Sequence, residues 1–462
     1  MTPSRKLGNP NRRTVLKTFG VSLGALAATG RVGARKSPRK PRRLGVMSEL
    51  SVDGIAEAVS SGNYTYCAVN TEYAADADSA LVVVDDRNPR RPEVVAQRPL
   101  ADDLESDPSI GEVGTLHTKD AKVDGDVAAL ANDTEAPGGI ALYDVSDPTA
   151  PRYESFYAPE PPSNIHNVHL ADGFAYLALG EPENTDTDDD GDRDLVRIFG
   201  DAGVEIVDVR DPANPTHAAT WLLKDELPDY AKAGVNPCHD LYTQDDVCWA
   251  AFWDAGTIAL DVSDPTDPTF LAQFGAAPNG DEVIRPWRVD EESIGEYFNE
   301  VFPFVRYLAP PGNAHYVQPT PDGSHVLVGA ETFLGSPGGI DVYEVGDLAA
   351  GDVTQVGRID PPDVDAFRTS HNFDFHGDRL YTSWYAGGVR VFDLEDPANP
   401  MELSNYRAEG SQFWTAVGDE GYVVGSALGD GLVYLGANGK KREDDLGDSG
   451  PPSNPEPSHG AQ

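Results

Sequence analysis

The chain has 462 residues and a formal net charge of −42, with 77 acidic residues against 35 basic ones. This length exceeds what one ordinary hydrophobic core can serve, although a repeat architecture accommodates it in a single domain. The acidic excess argues against nucleic acid or an anionic membrane surface as a partner, because phosphate binding needs clustered Lys and Arg.

The first 43 residues differ in charge from the rest of the chain. They hold 12 basic residues and no acidic one, so the remaining chain has a formal charge of −54. An Arg12-Arg13 pair precedes an apolar run from Phe19 to Ala28, which is the twin-arginine export pattern. The run is too short to span a bilayer. We predict a twin-arginine signal peptide over residues 1–34, a basic linker over 35–43 and no membrane span; a merely basic tail is the alternative.

The charge of the remaining chain is typical of a halophilic protein. Self-repulsion of this size destabilises a compact protein in dilute buffer, but molar salt screens it within roughly 3 Å. Together with the export pattern, this composition predicts an extracytoplasmic protein of haloarchaeal type, secreted or held at the cell surface. We expect it to be a monomer.

A short apolar strand followed by an acid, and then in most copies by Asp-Pro, recurs along the chain. Such a strand, closed by a turn that Pro cannot continue, is a sheet unit. Further strands flank each copy, so each interval holds four strands, as in a blade of a β-propeller. Six copies are found at 81–85, 140–144, 204–208, 258–261, 340–344 and 389–393, with a degenerate seventh at 431–435.

The last copy has no evident fourth strand after it, since the chain from Lys440 onward is charged and rich in proline. The segment from Leu44 to Val52 could supply that strand and close the ring. We therefore predict an all-β fold, a β-propeller of seven four-stranded blades over residues 44–439, with a disordered tail over residues 440–462.

These strands resemble the repeats of the LVIVD family, whose name is nearly spelled by Leu81-Val82-Val83-Val84-Asp85 and by Val204-Glu205-Ile206-Val207-Asp208. The resemblance extends over about residues 50 to 437 and implies a propeller fold. It implies little about function, because such repeats mark architecture and not chemistry.

Five consecutive predicted blades carry a histidine at the head of their first strand. The first strand of each blade lines the axis of a propeller, so these imidazoles are expected to converge at one mouth of the channel. Neutral imidazoles suit a first-row transition metal, and the sequence does not choose among copper, iron, zinc and manganese. The five histidines are His117, His166, His239, His315 and His371.

The alignment of these histidines depends on a spacing of ten residues to an aromatic residue in the second strand of three of the blades. By the same count, the equivalent residue is Ala56 in the first blade and Gln412 in the last. We exclude His169 and His376, because an odd offset along a strand points a side chain the other way. Two plainer interpretations stay open: a packing histidine that the repeat duplicated, or rings too far apart to share one ion.

Two propeller families are similar to this arrangement in holding a metal with axial histidines from several blades. They are the carotenoid cleavage oxygenases, which use iron, and the selenium-binding or methanethiol oxidase proteins. The similarity is one of architecture, and it implies a chance of redox chemistry. We expect a propeller that binds a transition metal or a small ligand; a metal-dependent oxidase, oxygenase or lyase, and a protein-interaction scaffold without chemistry, are the alternatives.

An acidic segment between two strands of the third predicted blade matches an oxygen-rich calcium loop. Alternate carboxylates face one ion in such a loop, and Gly191 permits the turn. Arg197 stands where an EF-hand has glutamate, and a solvated acidic insertion is the plainer alternative. The predicted calcium ligands are Asp186, Asp188, Asp190, Asp192 and Asp194.

Overall fold

The computed structural model describes residues 41–74, 77–133, 137–161, 163–181, 202–232, 237–277, 312–332 and 336–437, which lie in one unit, Pro41–Gln462. The predicted signal peptide, the predicted tail and the calcium loop from Asp186 to Asp194 fall outside these residues, so they stay predictions. Among the described residues, no helix has the length and apolar character needed to cross a membrane.

Among the described residues, five sheets have four strands each, and each is an antiparallel run of strands that follow one another along the chain. The first sheet is β2 (Ile55–Ser61), β3 (Tyr64–Val69), β4 (Ala80–Asp85) and β5 (Glu93–Pro99). The second is β6 (Thr118–Asp124), β7 (Val127–Asn132), β8 (Gly139–Asp144) and β9 (Arg152–Tyr157). The third is β10 (Asn164–Ala171), β11 (Phe174–Glu181), β12 (Gly203–Asp208) and β13 (Thr216–Leu222). The fourth is β14 (Asp240–Gln244), β15 (Val247–Phe252), β16 (Gly256–Asp261) and β17 (Thr269–Phe274). The fifth is β18 (Ala314–Pro319), β19 (His325–Ala330), β20 (Ile340–Val345) and β21 (Val353–Ile359).

A sixth sheet has eight strands, in the order β22-β23-β24-β25-β1-β28-β27-β26. Its strands are β1 (Arg42–Ser51), β22 (Phe373–His376), β23 (Arg379–Ser383), β24 (Val389–Asp393), β25 (Met401–Tyr406), β26 (Phe413–Asp419), β27 (Tyr422–Ala427) and β28 (Gly431–Ala437). Short helices in the described connections are α1 (Leu100–Ser106), α2 (Leu223–Glu226), α3 (Pro228–Lys232) and a 3-10 turn at Leu348–Ala350.

The acid that ends the third strand of a sheet forms a local turn. The carboxylate of Asp144 accepts the backbone N–H of Ser146 at 2.8 Å, and Asp261 accepts that of Ser263 at 2.9 Å. A short acidic side chain that bonds the backbone two residues on mimics a turn and ends the strand. The same bond recurs at Asp85, Asp208 and Asp393.

The hydrophobic core lies between neighbouring sheets. Trp249 and Phe274 of the fourth sheet pack with Val317 and Tyr343 of the fifth, and the rings of Phe274 and Tyr343 are 4.9 Å apart. Each sheet buries the apolar side chains of one face against the facing side of the next sheet, so neighbouring sheets pack face to face.

The first strands of the sheets contact one another in the order β2, β6, β10, β14, β18, β22 and β26, and β26 contacts β2. The series therefore closes on itself around an axis.

The strand predicted from Leu44 to Val52 is confirmed as β1, which pairs antiparallel with β28. It begins at Arg42, two residues before the predicted start of the propeller. The reason is that the exposed Arg42 and Arg43 pair with Ser404 and Asn405 of β25.

Candidate metal centre

A β-bulge near the head of the first strand decides which side chains reach the axis. The pairing register shifts at this point in β2, β6, β10, β18 and β26. The extra residue is His315 in β18 and Trp414 in β26, and in β10 the shift spans His166 and Asn167. A bulge breaks the alternation of a strand, so that two consecutive side chains can face the same side.

The structure differs from the predicted register at two positions. In β6 the bulged residue is Lys119, and His117 precedes it by two residues. In β26 the bulged residue is Trp414, and Gln412 precedes it by two residues. The ten-residue spacing could have identified both bulged residues. Ten residues after Lys119, and ten after Trp414, stands the third residue of the next strand, as it does ten residues after His166.

Four of the five predicted histidines lie side by side. The ring of His239 is 4.3 Å from that of His166 and 3.9 Å from that of His315, and the rings of His315 and His371 are 4.5 Å apart. Trp414 extends the row, with its ring 3.9 Å from His371. We call His166, His239, His315 and His371 the histidine arc.

His117 stands apart from the histidine arc. Its Nδ1 lies 3.6 Å from the Glu72 carboxylate. Within the described ranges, no ring contact joins it to another histidine. The prediction that all five rings share one position therefore holds for four of them.

Burial keeps most of the histidine arc neutral. His315 and His371 are each 2% exposed, and His239 is partly exposed. Burial, reinforced by the neighbouring imidazoles, lowers the pKa of His239 and His315 well below the ordinary value. Burial also lowers the pKa of His371 to about 3. A neutral imidazole has the free lone pair that a metal ion requires.

Hydrogen bonds fix the tautomer of two rings in the arc. His371 Nδ1 lies 2.8 Å from the carbonyl oxygen of Trp414, which can only accept, so Nδ1 carries the proton and Nε2 the lone pair. His166 Nδ1 lies 2.9 Å from the Asp133 carboxylate, which orients that ring in the same way. A metal-binding histidine nearly always has its second nitrogen anchored to such an oxygen.

Three ring nitrogens of the arc are buried without a hydrogen-bond partner among the described residues. They are His239 Nδ1, His315 Nδ1 and His371 Nε2. Leaving a buried polar atom unpaired costs about 1 to 3 kcal/mol, so three on adjacent rings call for a ligand.

Glu331, which the sequence analysis missed, completes the cluster. Its carboxylate is 3.2 Å from His315 Nε2 and 3.9 Å from His371 Nε2, and it accepts a hydrogen bond from Tyr385. Burial raises its pKa to about 7. Ligand atoms of His239, His315 and Glu331 lie within 4.8 Å of one another, which is close enough to share one ion.

The signal for Glu331 is the hairpin that pairs the fifth sheet's first two strands. Ala314 pairs antiparallel with Ala330, and the backbone N–H of Glu331 donates to the carbonyl of Asn313, so Glu331 lies at the same end of the hairpin as His315. A carboxylate directly after the second strand is therefore a candidate partner for the bulged histidine of the first.

Below the histidine arc, the next residues of the same strands form a second polar layer, which we call the acid layer. Glu57 accepts hydrogen bonds from Thr415 at 2.6 Å and from Asn372 at 2.8 Å. Asp240 accepts one from Asn167 at 2.7 Å. These bonds connect strands that are far apart in sequence. The carboxylates of this layer belong to Glu57, Asp120 and Asp240, which are at most 3% exposed.

Lys122 is the cation of the acid layer. It forms an ion pair with Asp120, and its side chain is 14% exposed. Although burial works against its charge, Asp120, Glu57 and Asp240 raise its pKa above the ordinary value. One ammonium group thus serves carboxylates from three sheets.

The reason for excluding His169 does not hold, because the bulge in β10 changes the parity of the strand. His169 packs on Tyr242 at 4.3 Å, and burial, together with the charge of Lys122, lowers its pKa to about 3. Its Nδ1 accepts the backbone N–H of Thr243 at 3.2 Å, so it is a satisfied packing histidine. His376 is exposed.

The fold and this axial site define the class of protein, a β-propeller. Residues 246–274, which cover β15 to β17, match the LVIVD repeat. The chain is similar to the β-propeller domain of Cps50 (Swd1) from Myceliophteria thermophila, with a TM-score of 0.52, 11% identity, 84% of this chain and 99% of that chain covered. At this identity the likeness shows the fold alone. The predicted LVIVD repeat and the propeller fold are therefore confirmed.

Two further solved structures resemble the chain more weakly. A chain of the mitotic checkpoint complex has a TM-score of 0.49 and 10% identity, with 91% of this chain and 99% of that chain covered. The computationally designed Ika8 protein has a TM-score of 0.47 and 8% identity, with 86% and 99% covered. No curated protein sequence matches the chain.

Proposed function

We propose that the protein is an extracytoplasmic, seven-bladed propeller that binds a divalent transition-metal ion at the histidine arc. The ligands are His239, His315, His371 and Glu331. The observation that carries this proposal is the set of three buried, unpartnered ring nitrogens on adjacent imidazoles within the described residues.

The chemistry of the ligand set favours a transition metal over calcium or magnesium. Imidazole suits zinc, copper, iron and nickel, whereas calcium and magnesium prefer oxygen ligands. The low pKa of the rings supports binding at neutral pH, because His371 is already neutral there and its Nε2 lone pair is free. The anchored Nδ1 of His371 supplies the outer hydrogen bond that a metal-binding histidine needs.

The number of blades depends on how the eight-stranded sheet is divided. Among the described strands, its two halves are joined by one short parallel ladder of β1 with β25, at Arg42 with Ser404 and Arg43 with Asn405, and an isolated bridge links Tyr385 with Phe413. All other ladders in that sheet are antiparallel and longer. Counting the halves as two blades gives seven, with β1 as the fourth strand of the last.

Export and halophily have their support in composition. The 12 basic residues of the first 43 and the charge of −54 beyond them favour twin-arginine export into a saline exterior. A calcium ion at Asp186 to Asp194 would be a separate, structural site.

A metal-dependent oxidase, oxygenase or lyase is the second candidate. In this candidate His371 does not bind the ion. His239, His315 and Glu331, which lie within reach of one ion, then leave coordination positions open, as in non-haem iron oxygenases and catalytic zinc sites. Solvent reaches the arc at His166, whose side chain is 23% exposed. A protein-interaction scaffold with an empty arc is the third candidate.

The test is metal binding by the full chain, exported by its own signal and purified in molar salt. Elemental analysis would measure the resident metal, and Co²⁺ titration followed by visible absorption would measure the affinity. We expect one transition-metal ion per chain, and a loss of more than about hundredfold in Co²⁺ affinity in a His239→Ala, His315→Ala double variant.

The matched control is His217→Ala, which removes an exposed histidine of β13 whose Nε2 lies 2.8 Å from the Thr220 hydroxyl. It should bind Co²⁺ like the unaltered protein. Equal binding by the double variant, or no binding by any of the three proteins, would leave the scaffold as the better account. Open coordination positions in the Co²⁺ spectrum would direct a screen for oxidase, oxygenase and lyase substrates.

A further inference from the structure

The first strand of the second sheet carries a cation beside the histidine arc. Lys119 occupies, in β6, the bulged position that histidine or Trp414 occupies in other first strands. Its ammonium group forms an ion pair with Glu72 and lies 3.2 Å from the Tyr73 hydroxyl. We call Glu72, Tyr73, His117 and Lys119 the lysine rim.

The lysine rim adjoins the histidine arc. Asp133 connects them, because its backbone N–H donates to the carbonyl of His117 and its carboxylate lies 2.9 Å from His166 Nδ1. Trp414 closes the other side, with its ring 5.8 Å from Tyr73 and 3.9 Å from His371.

Solvent exposure falls from the rim to the deep end of the arc. The side chains of Glu72 and His117 are 39% and 27% exposed, whereas those of His315 and His371 are 3% and 2% exposed. The lysine rim and His166 are therefore the solvent-exposed parts of this mouth, and a small molecule that contacts the buried rings lies next to them.

We infer that the ligand of this mouth is a small organic carboxylate, held by Lys119 and Tyr73 while its other end faces the histidine arc. This inference rests on the proposed function, since it names the class of molecule that the same site takes.

Glu72 shows that the rim suits a carboxylate. Its Oε2 forms an ion pair with the Lys119 ammonium group in β6, and its Oε1 lies 3.6 Å from Nδ1 of His117, which directly precedes β6. In the ion pair of Glu72 with Lys119, Glu72 is the more exposed side chain. A free carboxylate can therefore displace it and bind Lys119 with the same geometry. Glu72 acts as a tethered stand-in for the ligand.

A small anion needs a cation that it contacts directly. Molar salt screens charges beyond roughly 3 Å, and basic residues are scarce in this chain, with 35 against 77 acidic ones. Lys119 is only 12% exposed, and Tyr73 and Glu72 hold its pKa above the ordinary value although burial opposes the charge. A partly buried charge is screened less by salt than an exposed one, so the attraction persists in molar salt.

The test uses benzoate as the probe, because the ring of Tyr73 lies beside Lys119 and the ring of Trp414 lies beside that of Tyr73. Calorimetry on the full chain at constant molar salt would measure benzoate binding with and without Co²⁺, and uncharged benzamide is the ligand control. We expect Lys119→Met to weaken benzoate binding by about ten- to hundredfold, the value of a hydrogen bond to a charged group. We expect Glu72→Gln to strengthen it about tenfold, because the stand-in is weakened.

Glu154→Gln is the matched control for the loss of one negative charge, since Glu154 lies in β9 beside the exposed Arg152. It should leave benzoate binding unchanged. Equal affinity in Lys119→Met and the unaltered protein would overturn the inference, and so would equal effects of Glu72→Gln and Glu154→Gln. If Lys119→Met does not fold, the Glu72 and Glu154 pair decides alone.

The two proposals fail in different ways. Lys119-dependent benzoate binding to a protein that takes no Co²⁺ would refute the metal and keep the carboxylate site. Co²⁺ binding with no benzoate binding, or with benzoate binding that ignores Lys119, would keep the metal and refute the carboxylate site.

Discussion

The histidine arc and the acid layer below it occupy consecutive positions on the same first strands, yet their polar atoms are treated differently. Each carboxylate of the acid layer has a hydrogen-bond donor, as Glu57 has in Thr415 and Asn372, although the amide oxygen of Asn372 is itself buried without a partner among the described residues. In the arc, three ring nitrogens have no partner among the described residues. A satisfied buried network stabilises one structure, whereas an unsatisfied one costs free energy unless a ligand pairs it. We therefore assign a structural role to the acid layer and a binding role to the histidine arc.

The largest expected effect separates the two layers by stability. Lys122→Met leaves Asp120 buried without its ion-pair partner, so we expect the free energy of unfolding to fall by about 3 to 5 kcal/mol. Urea denaturation in molar salt would measure it. Arg87→Met breaks the exposed ion pair with Asp85 and should cause no measurable change. An unchanged stability in Lys122→Met would remove the structural role of the acid layer.

The next effect concerns the pH dependence of metal binding. Glu331 must lose its proton to bind a metal ion, and its pKa is raised to about 7 by burial, while that of His371 is lowered to about 3. Co²⁺ affinity should therefore fall by about tenfold per pH unit below pH 7, from one proton. Glu331→Gln should bind more weakly at pH 7 and show no such slope down to pH 5. A slope of equal size in this variant would assign the proton to another group.

A smaller effect tests whether Glu57 belongs to structure alone. Burial raises the pKa of Glu57 from 4.5 to about 7, with Lys122 opposing the rise, so the folded state holds a proton that the unfolded state has lost. Because the folded state binds more protons between these values, stability falls as pH rises from 4.5 to 7. The stability of Glu57→Gln should depend less on pH. Between pH 5 and pH 7.5, its free energy of unfolding, measured by denaturation, should change by roughly 1 to 3 kcal/mol less than that of the unaltered protein. The variant's Co²⁺ affinity should not change, and a large loss there would join the two layers into one site.

The smallest effect sharpens the boundary of the arc. Tyr385 donates a hydrogen bond to Glu331, and Tyr385→Phe removes only that donor. We expect Co²⁺ affinity to fall by about tenfold, as for other residues that orient a metal ligand. The pH slope should move to higher pH, because the lost bond favoured the ionised carboxylate. Lower affinity with an unmoved slope would mean that Tyr385 acts by packing.

Much of the fold could be read from the chain without coordinates. Strand, acid and Asp-Pro recur because a strand needs a local turn to end, and Asp144 and Asp261 make that turn with their own neighbours. The closing strand β1 could be placed because the last repeat lacked a fourth strand. The same repetition brought four histidines to one position, since equivalent residues of a repeat occupy equivalent places.

Only the tertiary structure decided which side chains meet at the axis. A bulge adds one residue to a strand and reverses its parity, so Lys119 and not His117 holds the equivalent position, and His169 faces Tyr242. Glu331 and Tyr385 come from other connections and reach the arc because neighbouring sheets meet there. Sequence spacing records distances along the chain, whereas a ligand set depends on distances through space between strands that only the closed ring brings together.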